Sequence, residues 1–168
     1  MTKTEFAAIN RCCMCWTMPA SPRCGVTTSP GLPTQRLEDE QDAGLCNGKR
    51  CVDEILLKDL QAQISPGNGD RVVVLHQLGN HGPNYFERYP ARFRRFTPTC
   101  ENPELGQCAR QEIVNAYDNA LLYTDHFLAA TIGFLKAQTD YETALVYVSD
   151  HGASLGEKGL FLHGVPYA

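Results

Sequence analysis

"TALVYVSDHG", residues 143–152, decides the reading of the fold. Its first six residues, Thr143-Ala144-Leu145-Val146-Tyr147-Val148, form an apolar, β-branched run of strand length. It stops abruptly at Ser149-Asp150-His151-Gly152. Such a run reads as a buried strand of a parallel sheet. A carboxylate beside an imidazole just past its end reads as chemistry, because ligands of open α/β sheets bind beyond the carboxyl ends of strands.

A second stretch repeats the pattern. Arg71-Val72-Val73-Val74-Leu75 is a buried strand by the same criteria, and it runs into His76-Gln77-Leu78-Gly79-Asn80-His81-Gly82-Pro83. Between the two strands the spacing predicts one long helix, from about Ala109 to Gln138. Its expected apolar face holds Ile113, Ala116, Tyr117, Ala120, Leu121, Thr124, Phe127, Leu128, Ile132 and Leu135. Strand, helix, strand implies a right-handed crossover in an α/β sheet. Further upstream, Val52, Ile55, Leu56, Leu60 and Ile64 fall at helical spacing, with Asp53 and Glu54 in the first turn, where the macrodipole favours anions. Residues 34–50 are polar and loop-like. Residues 1–33 are rich in Pro, Ser, Thr and Gly, lack apolar periodicity and read as irregular.

The totals bound the function. A chain of 168 residues with 43% apolar residues can bury a core, and a net charge of −4 argues against nucleic acid as a partner. No stretch has the roughly 18–20 continuous apolar residues that span a bilayer. The amino-terminal residues lack an uninterrupted apolar segment, which argues against a signal peptide. Of the eight cysteines, Cys46 and Cys51, and Cys100 and Cys108, flank short loops of turn-forming residues. These suit local disulfides in an oxidising compartment, the alternative being four free thiols. Cys12, Cys13, Cys15 and Cys24 lack the spacing of a zinc knuckle.

Asp150, His151, His81 and His163 all follow strands or sit in glycine-rich turns, and Asp oxygen with His nitrogen is a zinc donor set. Gly152 is expected to supply the backbone freedom that lets neighbouring side chains converge. The segment from Arg88 to Phe96 interleaves arginines with aromatics. It reads as a solvated loop, a single-stranded nucleic-acid surface or a site for lipid head-group phosphates.

The stretches "HQLGNHGPNYFERYP", "FTPTC", "NAYDNALLYTDHFL" and "YVSDHGASLGEKGLFLHGVPYA" closely resemble the catalytic domain of bacterial lipid A phosphoethanolamine transferases, including the mobile colistin resistance type. These enzymes belong to the alkaline phosphatase and sulfatase superfamily, and the resemblance covers about Cys46 to Ala168. It implies an α/β fold, a partial alkaline phosphatase-like sandwich with a mostly parallel sheet flanked by helices. Residues 34–168 would be a partial sulfatase-like catalytic domain truncated at both ends, and residues 1–33 would stand outside the family.

The implied activity is zinc-dependent transfer of phosphoethanolamine from phosphatidylethanolamine to lipid A through a phosphothreonine. The implied place is the periplasmic face of the inner membrane, with the membrane reached only through an amino-terminal domain this chain lacks. By the same resemblance, Asp150 and His151 are ligands of a catalytic zinc. His81 and His163 match histidines that bind a second zinc or the phosphoryl group. Cys100–Cys108 and Cys46–Cys51 match family disulfides. His126 lies in the long helix and reads as structural.

Three departures stand out. The family's nucleophilic threonine and the glutamate completing its zinc site lack counterparts, and "RCGVTTSPG" (23–31) only faintly resembles the nucleophile segment at Thr27 and Thr28. Ala153 stands where the family has a glutamate. The catalytic nucleophile is thus unassigned, and the chain is expected to be inactive alone. A nonenzymatic phosphate- or nucleic-acid-binding module is the competing reading.

Overall fold

The computed structural model describes residues 4–11, 25–28, 35–36, 42–48, 50–64 and 70–163; for residues 4–11, 25–28, 35–36 and 63 only the backbone is described. The chain divides into two compact units, residues 1–78 with 127–150, and residues 79–126 with 151–168.

The first unit carries a five-stranded sheet. Its strands are β1 (Thr4–Arg11), β2 (Gly25–Thr28), β3 (Gln35–Arg36), β4 (Arg71–Gln77) and β5 (Glu142–Ser149), in the order β3-β2-β4-β1-β5. β1 pairs in parallel with both β4 and β5, in the registers Ala7↔Val73 and Ala7↔Leu145. β2 runs antiparallel to β4 and to β3. The sheet is therefore mixed, with a parallel half formed by β4, β1 and β5.

Several expectations change here. Residues 4–11 and 25–28 are strands, although the sequence around them shows no strand pattern. Thr4–Arg11 lies between the two strands that the sequence does reveal, so ladder pairing on both sides specifies it where local propensity is weak. The remainder of residues 1–33, including Cys12, Cys13, Cys15 and Cys24, lies outside the described residues. β5 is the outermost described strand rather than a buried one. Among the described residues it pairs with β1 alone, and Val146, Tyr147 and Val148 are exposed. On β4 burial alternates, with Val73, Leu75 and Gln77 buried and the residues between them less so.

The helix expected over 52–64 is broken in two, a 3₁₀ turn over Asp53–Leu57 and the short α1 (Leu60–Gln63). Lys58 is extended (ψ 130°) and Asp59 is left-handed (φ 55°), which no continuous helix accommodates. The apolar spacing was still informative, because Ile55, Leu56, Leu60 and Ile64 pack with Val73, Leu75 and Phe127 in one core. The buried Asp53 carboxylate accepts the Leu78 backbone N–H (3.1 Å), tying the end of β4 to the 3₁₀ turn.

The long helix α2 (Arg110–Lys136) matches its expected span. Ile113, Ala116, Ala120, Thr124, Phe127 and Leu135 are buried as expected. Leu121 and Ile132 instead face solvent, and Tyr123 and Thr131 take inward positions. A spacing of three or four residues selects 113, 116, 120, 123/124, 127 and 131, so Leu121 and Ile132 fall off that stripe. In the second unit, Ile113 and Ala116 pack with Tyr85, Cys100 and Leu105, and with Leu155, Phe161 and Leu162 of the small antiparallel pair β6 (Ser154–Leu155) and β7 (Phe161–Leu162).

Both expected disulfides are formed, Cys46–Cys51 and Cys100–Cys108. Among the described residues no helix is long and apolar enough to cross a membrane.

Candidate metal centre

The second unit brings His81, His151 and His163 together, with one nitrogen of each lying within 4.8 Å of the others. His163 Nε2 is 3.2 Å from His81 Nε2, and the ring centroids of His151 and His163 are 3.9 Å apart. These histidines are 70 and 12 residues apart in the chain, so the tertiary fold alone assembles them.

Two of the rings are held locally. His81 Nδ1 donates to the Gly82 carbonyl (2.6 Å), and His151 Nδ1 donates to the Gly152 carbonyl (2.8 Å). A carbonyl can only accept, so Nδ1 carries a proton, and in the neutral ring Nε2 keeps its lone pair. Orienting a ring through its other nitrogen is what a metal-ligating histidine requires.

Arg88, itself buried, donates from Nε to the His81 carbonyl (2.7 Å) and fixes the backbone of that residue. Burial pushes the His81 pKa below its ordinary value of 6.5. The hydrogen bond to Gly82 opposes that shift, while the charges of Arg88, His163 and His151 add to it. A neutral imidazole is the form that binds a metal.

His163 reaches the cluster at the end of the β6–β7 hairpin. Arg110 holds that hairpin to the start of α2, with Nε donating to the Leu155 carbonyl (3.2 Å) and Nη2 to Glu157 Oε1 (2.9 Å). Glu157 Oε2 accepts the Leu155 N–H (2.6 Å). The Glu157 pKa is lowered, first by the backbone N–H of Glu157 itself, then by those of Leu155 and by Arg110. Beneath the hairpin lies Gly82. A Cβ built there would meet Leu162 Cδ2 at 2.5 Å and the Tyr85 ring and hydroxyl at 2.7–2.8 Å. Only a glycine at position 82 lets Leu162 sit so close, and the residue after Leu162 is His163.

Set against the sequence reading, the structure joins His81 and His163 and adds His151 to the same group. Asp150 is not a member of it; it is an exposed residue directly after β5. Gly152 is not left-handed and has open space around it, so the freedom assigned to it is unused; Gly82 is the glycine this site requires. His126 packs against Phe93 (centroids 5.0 Å) and Tyr123 on α2, a structural position. His76 lies within β4, half-buried. Thr27 and Thr28, on β2, pair with Val74 and Val73 of β4; only their backbone is described. Ala153 is exposed. Arg88, read in the sequence only as the start of the arginine–aromatic segment, is instead buried. It acts through a backbone carbonyl seven residues away, and nothing in its spacing marks that.

A set of three imidazoles with two rings oriented through Nδ1 suits a zinc ion, which takes nitrogen ligands and in catalytic sites commonly has three protein ligands.

The phosphatidylethanolamine transferase Mcr-2 of Escherichia coli is 50% identical over 145 residues, covering 82% of this chain and 27% of that protein. The phosphoethanolamine transferase EptA of Salmonella typhimurium is 44% identical over 138 residues, covering 82% of this chain and 25% of that protein. The chain thus spans about a quarter of the length of these relatives. Its fold is similar to the crystal structure of the soluble domain of lipooligosaccharide phosphoethanolamine transferase A from Neisseria meningitidis. The TM-score is 0.75 at 35% identity, over 98% of this chain and 46% of that one. The alkaline phosphatase-like α/β reading therefore holds. The sulfatase family description matches residues 17–168, nearly the whole chain, and with these likenesses it establishes that the chain belongs to the sulfatase family.

Proposed function

We propose that this chain carries part of the catalytic centre of a zinc-dependent phosphoethanolamine transferase, one that moves phosphoethanolamine from phosphatidylethanolamine to lipid A at the periplasmic face of the inner membrane. The observation that carries this reading is the convergence of His81, His151 and His163 in a chain similar to named phosphoethanolamine transferases.

His81, His151 and His163 would hold the metal, with Asp150 as the further ligand that the family resemblance suggests. Zinc bound there would supply Lewis acidity toward a phosphoryl oxygen. The chain's own contribution is orientation. The Gly82 and Gly152 carbonyls hold the Nδ1 protons of His81 and His151, so both rings present Nε2 lone pairs without rearrangement. Burial keeps His81 neutral, and Arg88 fixes its main chain.

Covalent transfer also needs a positioned nucleophile. The family's nucleophilic threonine and completing glutamate have no assigned counterpart here, so the chain by itself binds zinc without completing transfer.

The test is a chimera in which this chain replaces the matching stretch of the Escherichia coli phosphatidylethanolamine transferase, with lipid A read by mass spectrometry. The chimera should add phosphoethanolamine to lipid A, His81→Ala and His163→Ala should abolish the addition, and the isolated chain should add none. A folded, zinc-loaded chimera that leaves lipid A unmodified refutes the reading, as does activity untouched by both substitutions.

A further inference from the structure

The loop from Ala91 to Pro98 stands apart in sequence from the histidine cluster, and the transfer reading makes no use of it. Nearly all of it is exposed: Ala91, Arg92, Arg94, Arg95, Phe96, Thr97 and Pro98. Three arginines within four residues are unusual on a chain with a net charge of −4. Arg94 pairs with Glu101 (2.6 Å), and Arg92 lies over the Phe93 ring, 5.0 Å from its centroid. The Arg95 side chain has no ion-pair partner among the described residues. Phe96, next to it, is 42% exposed, a large apolar side chain presented to solvent within a basic loop.

The loop is nonetheless rigidly built. Asn119, fully buried on α2, accepts the backbone N–H groups of Arg95 (2.8 Å) and Phe96 (2.9 Å) on its Oδ1. Its Nδ2 donates to the Phe96 carbonyl (2.9 Å) and to the Tyr89 hydroxyl (3.3 Å). One buried amide therefore clamps the main chain at the residues whose side chains face outward. A preformed presentation lowers the ordering cost of binding.

We propose that this loop is a docking surface for an anionic lipid bilayer, with Arg92 and Arg95 meeting head-group phosphates and Phe96 entering the interface. Cations beside an exposed aromatic are the chemistry of interfacial binding. A single-stranded nucleic acid fits less well. It needs several aromatic faces on which successive bases stack, whereas the Phe93 ring already contacts Tyr123, His126 and Arg92. The surface is independent of metal and of transfer, so its failure and the failure of the transferase reading are separately visible.

The test is sedimentation of the full chain, in chelator, with vesicles of equimolar phosphatidylcholine and phosphatidylglycerol, against vesicles of phosphatidylcholine alone. Binding should require the anionic lipid and weaken as salt rises. Arg92→Gln and Arg95→Gln should each weaken it roughly fivefold. Phe96→Ser should weaken it without changing the salt dependence. Lys136→Gln, an exposed cation elsewhere, should leave it unchanged. Equal binding to both vesicles overturns the proposal. So does a loss at Lys136→Gln equal to that at Arg95→Gln, or an oligothymidine strand that binds more tightly than the anionic vesicles.

Discussion

Replacing Gly82 by alanine should separate His163 from His81 without touching either ring. The added Cβ would lie 2.5 Å from Leu162 Cδ2, where ordinary contact begins at 3.4 Å, a deficit of 0.9 Å. On its other side stands the Tyr85 ring at 2.8 Å, 1% exposed and packed in the second core, so that wall cannot yield. The hairpin is the freer partner. Leu162 already holds a left-handed backbone (φ 65°), which costs about 1–2 kcal/mol for a non-glycine residue, and it has little latitude to absorb more strain.

The displacement therefore passes to His163, whose Nε2 sits 3.2 Å from that of His81. Overpacking of this kind costs about 1–3 kcal/mol of stability. A ligand moved by most of an ångström should lower zinc affinity by about tenfold, the lower end of the effect of disturbing groups that orient ligands. Thermal melts and isothermal titration with zinc on the purified chain measure both. Gly106→Ala is the control, because a Cβ there meets nothing within 4 Å. If Gly82→Ala melts and binds zinc like the parent, then packing on Gly82 does not hold the hairpin in place, and the account of how His163 reaches the cluster is wrong.

Three more outcomes follow from the same structure. His81 has a folded pKa below 6.5, so the unfolded chain takes up its proton first. Metal-free protein should keep this contribution to stability above about pH 6.5 and lose it as pH falls through the folded value, which chemical denaturation in chelator at stepped pH will show; a His81→Gln variant with the same pH profile would contradict it. Reducing Cys46–Cys51 or Cys100–Cys108 should cost about 2 kcal/mol each, given loops of 5 and 8 residues, and peptide mapping without reductant should recover both pairs; free thiols in oxidised material would refute the pairing. Lys158 is exposed with φ 52°, so Lys158→Gly should stabilise the chain by about 0.5–1 kcal/mol, seen as a raised melting temperature; an unchanged or lower one would show the strain is absent.

The sequence by itself determined the periodic elements. Burial of a stripe at three- and four-residue spacing marks α2 to within two residues of its observed ends, and β-branched runs mark β4 and β5. The cysteine spacing marked both disulfides, because a short loop between two cysteines is a local constraint. Histidines after strands marked His81, His151 and His163 as candidates.

What only the tertiary structure decided is everything that depends on partners distant in the chain. Thr4–Arg11 carries little strand signal of its own, yet it takes ladder hydrogen bonds from β4 on one side and β5 on the other. The same pairing leaves β5 outermost among the described strands and Val146, Tyr147 and Val148 exposed, which a local apolar run cannot reveal. The grouping of His151 with His81 and His163 rests on a hairpin seated over Gly82, and the clamp on Phe96 rests on Asn119, 23 residues away. Periodicity is a property of one segment and can be read there. A close approach between two segments is set by what each can bury against the other, and it exists only once both are folded.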